Sequence, residues 1–289
     1  MLANRSSLIT WLALGPALAL VGLLVGASLA YGVAQSLGLL AIAGASRLSL
    51  SAYRDLLGAS PAAREFWPTL GFSLWVSLAS TGLAALGALL IAAALSSQRR
   101  TPATPTLLML NLNLAFPHLV WAVALSLLLA QSGLLARLAA AVGMIDTPAQ
   151  FPVLVRDRYG LGIILHYVSK EIPFLVLIVL AVLRTQGAQY DLVAENLGAD
   201  AWQRLRYVTL PLVRPALAAG AALVFAFSFG AYEVPALLGV RYPRTLAVLA
   251  LEFFTNPDLN RRAEGMAISL IVSLITLIVV GLVTIKRKA

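Results

Sequence analysis

Residues 184–215 read RTQGAQYDLVAENLGADAWQRLRYVTLPLVRP, and this polar stretch lies between two long apolar runs. Before it stands GLGIILHYVSKEIPFLVLIVLAVL, residues 160–183; after it the chain is apolar again from about 212 to 238. About 20 mostly apolar residues are needed to cross a bilayer as a helix. The polar stretch is too polar to cross and too patterned for a plain linker. Asp191 is placed to cap a short helix running through Leu197, and Asp200 to cap a second. Trp202, Leu205 and Val208 give the second an apolar face at helical spacing, and Pro211 is expected to end it. Gly198-Ala199 joins the two with almost no side chain, so another protein's surface could come close to the joint. The expectation is two short helices lying along the membrane surface.

Working outward, six apolar stretches qualify as spans: about 9–34, 68–96, 105–131, 160–183, 212–238 and 264–285. They are continuous and lack the apolar/polar alternation of barrel strands, so the fold class is all-α, a polytopic membrane protein of six transmembrane helices. Composition agrees: 60% of the 289 residues are hydrophobic, 11% are charged, and the mean hydropathy is +0.89. In water such a chain would expose large apolar patches. The first apolar run exceeds a signal peptide's core of about 7–15 residues and is read as a retained span.

The net charge of +9 does not point to nucleic acid, because the basic residues sit in short segments between apolar runs, without interleaved aromatics. They fit topology and contact with anionic lipid headgroups. Six spans place both termini on one side. Equal numbers of Arg and Lys fall on the two sides, but those at Arg5, Arg99, Arg100, Arg184, Arg204, Arg206, Arg214, Lys286, Arg287 and Lys288 occupy the shorter loops. Their higher density places both termini in the cytoplasm. The chain has no cysteine, which excludes disulfides, thiolate catalysis and cysteine metal sites.

The cytoplasmic stretch resembles the signature of the permease subunits of binding-protein-dependent ABC importers, and the C-terminal half, especially KEIPF at 170–174 and EVPALLG at 233–239, is most similar to their polyamine, ferric ion, thiamine and phosphonate branch. That signature is Glu-Ala-Ala, three residues, Gly, then about nine residues later apolar-Xaa-Leu-Pro. Here Gly198 is followed by Ala199 and Asp200, and Val208-Thr209-Leu210-Pro211 closes the motif. The start departs from it: Leu192-Val193-Ala194 keeps only Ala194, and Glu195 comes three residues late. The similarity runs from about Thr69 to Thr284, including Leu74 to Gly87, Ile172-Pro173-Phe174 and Val234 to Gly239.

The resemblance implies a MetI-like type I importer fold, with residues 1–66 as an N-terminal span and external segment, 67–285 as the permease core with coupling loop 184–211, and 286–289 as a basic tail. It implies coupling through Ala194, Glu195, Gly198, Ala199, Asp200, Leu210 and Pro211. It also implies an ABC ATPase dimer, a second and distinct permease, and a periplasmic or lipoprotein substrate-binding protein as partners in the cell inner membrane. The sequence lacks the Gly-Xaa4-Gly-Lys-Ser/Thr phosphate loop. No cofactor and no enzyme activity are therefore expected of this chain, with ATP and magnesium in the partner ATPase.

Ionisable groups inside spans are costly and mark function or helix pairing. The candidates are His118, His166, Lys170, Glu171 and Glu233, with Asn113, Phe229 and Tyr232 beside them as pathway positions. Lys170 could pair with Glu233, or Glu171 with a partner subunit. Holding helices together and lining a pathway both remain open, as do aromatic wall and simple packing for Phe225, Phe229 and Tyr232. Pro117, Pro173 and Gly230 mark breaks or mere kinks. Two lone histidines make no metal site, and Gly82 and Gly87 are five apart, outside the close-packing spacing of four. The competing class, an ion-gradient-driven secondary transporter, would show repeated halves with matching broken helices, and no internal repeat is evident.

Overall fold

The computed structural model describes residues 3–39, 47–97 and 104–285. Arg99, Arg100 and the basic tail 286–289, placed above on the cytoplasmic side, lie outside the described residues. Among the described residues there is no strand. The helices are α1 (Ala3–Ser36), α2 (Ser51–Leu57), α3 (Pro61–Ser97), α4 (Thr104–Ala115), α5 (His118–Leu129), α6 (Leu134–Ala141), α7 (Leu161–Val182), α8 (Ala188–Asn196), α9 (Ala201–Arg204), α10 (Leu210–Gly230), α11 (Glu233–Leu238), α12 (Leu246–Phe254) and α13 (Arg261–Ile285). Six helical stretches are long and apolar enough to cross a membrane: 13–36, 61–95, 118–141, 161–185, 201–230 and 261–285.

Two of these differ from the expected spans for a local reason. The stretch expected at 105–131 is two helices, because Pro117 has no N–H to donate to the Asn113 carbonyl four residues back, and the chain turns extended there. The stretch expected at 212–238 ends at Gly230. Ala231 is extended (φ −72, ψ 137) and a new helix, α11, starts at Glu233. Pro235 thereby falls in a first helical turn, where a missing N–H costs nothing. Pro173, by contrast, is buried inside an uninterrupted α7. α12 was not anticipated: its apolar run of nine residues is too short to span and reads as loop.

The chain divides into two compact units, residues 1–66 with 249–271, and residues 67–248 with 272–289. In the first, Arg261 and Arg262 lie over the rings of Phe253 and Phe254 at 4.8 and 5.4 Å. Tyr53 donates to Ser36 Oγ at 2.9 Å and fixes α2 to the end of α1.

In the second unit α7 is the central element. Of its most apolar window 61% is buried, against 33% or less in every other candidate span. One cluster packs Leu175, Val176, Val179 and Leu180 of α7 on Ala84, Ala88 and Ala92 of α3 and Val213 and Val224 of α10. The alanines recur every four residues, so α3 presents a stripe of small side chains that lets the backbones approach. Gly87 sits beside that stripe: a Cβ there would lie 2.9 Å from Ile172 Cδ1. It is a close-approach position despite lacking a glycine partner four residues away. A second cluster joins Phe72 and Val76 to Ala122, Ile163, Ile164, Tyr167, Val234 and Leu238.

Candidate functional site

Breaking a helix at Pro117 removes the regular donors of the carbonyls before it, leaving Asn113 a long 3.3 Å bond from Phe116 N–H, and away from water such carbonyls need further donors. Lys170, one helix away on α7 and 3% exposed, supplies the donors. Its Nζ donates to the Asn113 carbonyl and, at 2.6 Å, to the Phe116 carbonyl. The ammonium thus caps the C-terminus of α4, where a positive charge also suits the helix dipole. This overturns the pairing of Lys170 with Glu233; Glu233 lies exposed in the first turn of α11.

The next residues around the break form a polar row. His118 Nδ1 is 3.3 Å from His166 Nε2, and His118 Nε2 is 3.7 Å from Glu171 Oε1. Trp121 Nε1 donates to Ser169 Oγ at 2.9 Å and locks α5 on α7. In front of the row lies a groove of about 300 Å³, lined by His118, Lys170 and Glu171 among Leu114, Phe116, Phe174, Leu223, Val224 and Phe227.

Of the pathway positions singled out from sequence, His118, Lys170 and Glu171 line this groove, while His166 is fully buried behind His118. Asn113 contributes its carbonyl to the Lys170 cap, and its buried Oδ1 has no hydrogen-bond partner. Phe229 is buried and stacked on Phe225 at 5.3 Å, which is packing. Tyr232 and Glu233 are exposed and line no part of the groove. Phe227 was missed; with Leu223 it sits one helical turn apart on one face of α10, and that spacing was the available signal.

The second feature is the stretch 184–211. Helical hydrogen bonding runs without a gap from α7 through a π turn at 183–187 into α8, and from α9 through a second π turn at 205–209 into α10. The two helices are therefore extensions of spans, not separate surface helices. Pro211 does not end the second one, because it falls in the first turn of α10 just after the π turn, which absorbs the register change.

The reversal occurs at Gly198, whose φ of +82 is a left-handed conformation that disfavours side chains. A Cβ there would meet nothing within 4 Å, so its surface is open. Asp200 caps α9 through Gln203 N at 2.8 Å, with Gln203 returning a bond to Asp200 N. Asp191 is not a cap: it pairs with Arg204 at 3.2 Å, and Glu195 approaches the same guanidinium at 3.6 Å. Trp202 is 69% exposed and Leu197 82%, so both apolar side chains stand on the surface of the hairpin.

A polytopic helical chain with this hairpin has recognisable relatives. The protein family described as binding-protein-dependent transport system inner membrane component matches residues 85–287. This chain belongs to that family. It is a multi-pass inner-membrane component, and the family match includes the whole hairpin and all the groove residues. It is similar to the inner membrane ABC transporter permease protein YnjC of Escherichia coli K12, 34% identical over 219 residues, covering 72% of this chain and 39% of that protein.

A shorter match, 42% identical over 84 residues (29% and 30% of the two chains), is to the sulfate transport system permease protein CysT of the same organism. The thiamine transport system permease protein ThiP of Brucella abortus (strain 2308) is 29% identical over 175 residues, 60% of this chain and 31% of that one. The chain thus spans about two fifths or less of the length of these curated relatives. In fold, this family member is similar to a chain of a bacterial alginate ABC transporter solved in complex with an alginate pentasaccharide-bound periplasmic protein. The TM-score is 0.69 at 14% identity, over 94% of this chain and 95% of that one. Nothing in the fold or among these relatives favours an ion-gradient-driven transporter.

Proposed function

We propose that this chain is the transmembrane permease subunit of an ATP-driven importer, forming part of a solute pathway and coupling it to ATP hydrolysis in a separate subunit. The observation that carries this reading is the hairpin turning at Gly198. Its tip is open, its flanks expose Leu197 and Trp202, and its two helices continue directly into two spans. A force applied at the tip reaches the membrane through continuous helical backbone. The tip is the docking element for an ABC ATPase dimer, in which ATP and magnesium are bound; Ala194, Glu195, Ala199 and Asp200 surround it, and Leu210 and Pro211 begin the span it moves.

The hairpin and both termini are cytoplasmic in this reading. A second permease completes the pathway, a substrate-binding protein delivers the solute on the far side, and this chain itself catalyses no reaction. The relatives' solutes, sulfate and thiamine, differ in charge and do not choose one for this chain. ATPase closure shifts the equilibrium between two access states through the hairpin.

Two substitutions separate docking from backbone geometry. Asparagine tolerates a left-handed φ, whereas arginine adds bulk and charge at the tip. Gly198→Asn should retain uptake by the assembled transporter, and Gly198→Arg should abolish it with expression unchanged. Normal uptake by Gly198→Arg contradicts the docking role.

A further inference from the structure

The groove between α4, α5, α7 and α10 has an apolar wall and a polar floor whose hydrogen-bonding capacity is unbalanced. Lys170 has three N–H donors, and two are committed to the Asn113 and Phe116 carbonyls. Its charge faces those carbonyl dipoles. His118 directs one nitrogen to His166 and the other toward Glu171. Glu171 is 8% exposed and lines the groove, and its contact with His118, at 3.7 Å, is well beyond a charge-assisted hydrogen bond. Asn113 Oδ1 is buried nearby, also without a partner. Glu171 thus presents to the groove a buried carboxyl group with no hydrogen-bond donor on it, beside the Lys170 charge that is turned to the two carbonyls.

We propose that this groove accepts a small organic ammonium ion, its head held by Glu171 and its apolar body lying among Phe116, Phe174 and Phe227. The inference rests on reading the chain as a permease, and it names the class of solute the groove admits. Aromatic faces and a carboxylate both attract a cation. An anion would meet the carboxylate, and two of the three Lys170 donors are already engaged. The volume of about 300 Å³ fits one ring with a short chain.

Three probes share one ring and differ in head group: 2-phenylethylammonium, 2-phenylethanol and phenylacetate. Each is titrated against the purified full chain in lipid nanodiscs, following the thermal unfolding midpoint. The ammonium should act at concentrations at least about tenfold below the alcohol, and phenylacetate should be the weakest. Glu171→Gln should remove the preference for ammonium over alcohol. Phe227→Ala should weaken both alike and keep the preference, and it decides the matter should Glu171→Gln fail to fold. The proposal is overturned by phenylacetate binding best, by ammonium acting no better than the alcohol, by a preference that survives Glu171→Gln, or by a preference lost in Phe227→Ala. This titration needs neither ATP nor an ATPase, so its failure is distinct from a failure of the importer reading, which shows in the Gly198 variants.

Discussion

Lys170 Nζ lies 2.6 Å from the main-chain carbonyl of Phe116, and it holds the end of a helix that Pro117 has broken. The lysine is thus a structural counterpart of the proline. Lys170→Met should destabilise the chain by about 1–3 kcal/mol by removing the charged donor from the Asn113 and Phe116 carbonyls. Pro117→Ala restores an N–H that can reach the Asn113 carbonyl, so the double variant should recover part of the loss. A double-mutant cycle on thermal unfolding in nanodiscs reads this coupling; strictly additive effects would show that the two residues act independently.

Close approach of α3 and α7 at Gly87 yields a second prediction. Gly87→Val pushes carbon into Ile172, already 2.9 Å from a bare Cβ, and should cost about 1–3 kcal/mol. Ile172→Ala should relieve the strain in the double variant. Unfolding midpoints of the four proteins test it, and a Gly87→Val protein as stable as wild type would show that the Ile172 side chain turns aside without cost.

The six apolar stretches and the glycine joint were legible because each is local: about twenty apolar residues, or a glycine between two short polar helical runs. The cap on α4 was not. Pro117 announces free carbonyls, but the donor stands 53 positions later on another helix, and no spacing rule links them. The same limit hid Arg204, whose partners Asp191 and Glu195 lie across the reversal. At Trp202 the spacing gave an apolar face, but such a face can be buried, membrane-facing or docked, and spacing does not say which. At Pro211 the helix-stop rule failed because the preceding π turn let the chain continue.

Arg204→Gln removes both ion pairs across the hairpin. The acidic side chains are 36% and 43% exposed, so the stability change should stay below about 1 kcal/mol. Coupling should suffer more, because α8 and α9 are no longer held together at the tip. Solute-stimulated ATP hydrolysis by the assembled transporter should fall while its unfolding midpoint barely moves; a large midpoint drop with unchanged coupling would assign the pairs to stability alone.

Leu223 is exposed at the wall of the groove. Leu223→Trp should fill much of that space and lower uptake by at least about tenfold, with assembly and stability preserved, since the substitution overfills an open groove and no packed core. Uptake at the wild-type rate would place the solute's route elsewhere.

The most direct measurement of the central claim is site-specific photocrosslinking from position 199, beside the open tip at Gly198, in cells expressing the intact transporter. A photoreactive residue there should form one dominant adduct, identified by mass spectrometry as an ABC-type ATPase, while the same residue at Met144, exposed in the chain between the third and fourth spans, should not. An ATPase adduct from Met144 with none from position 199 would contradict the account.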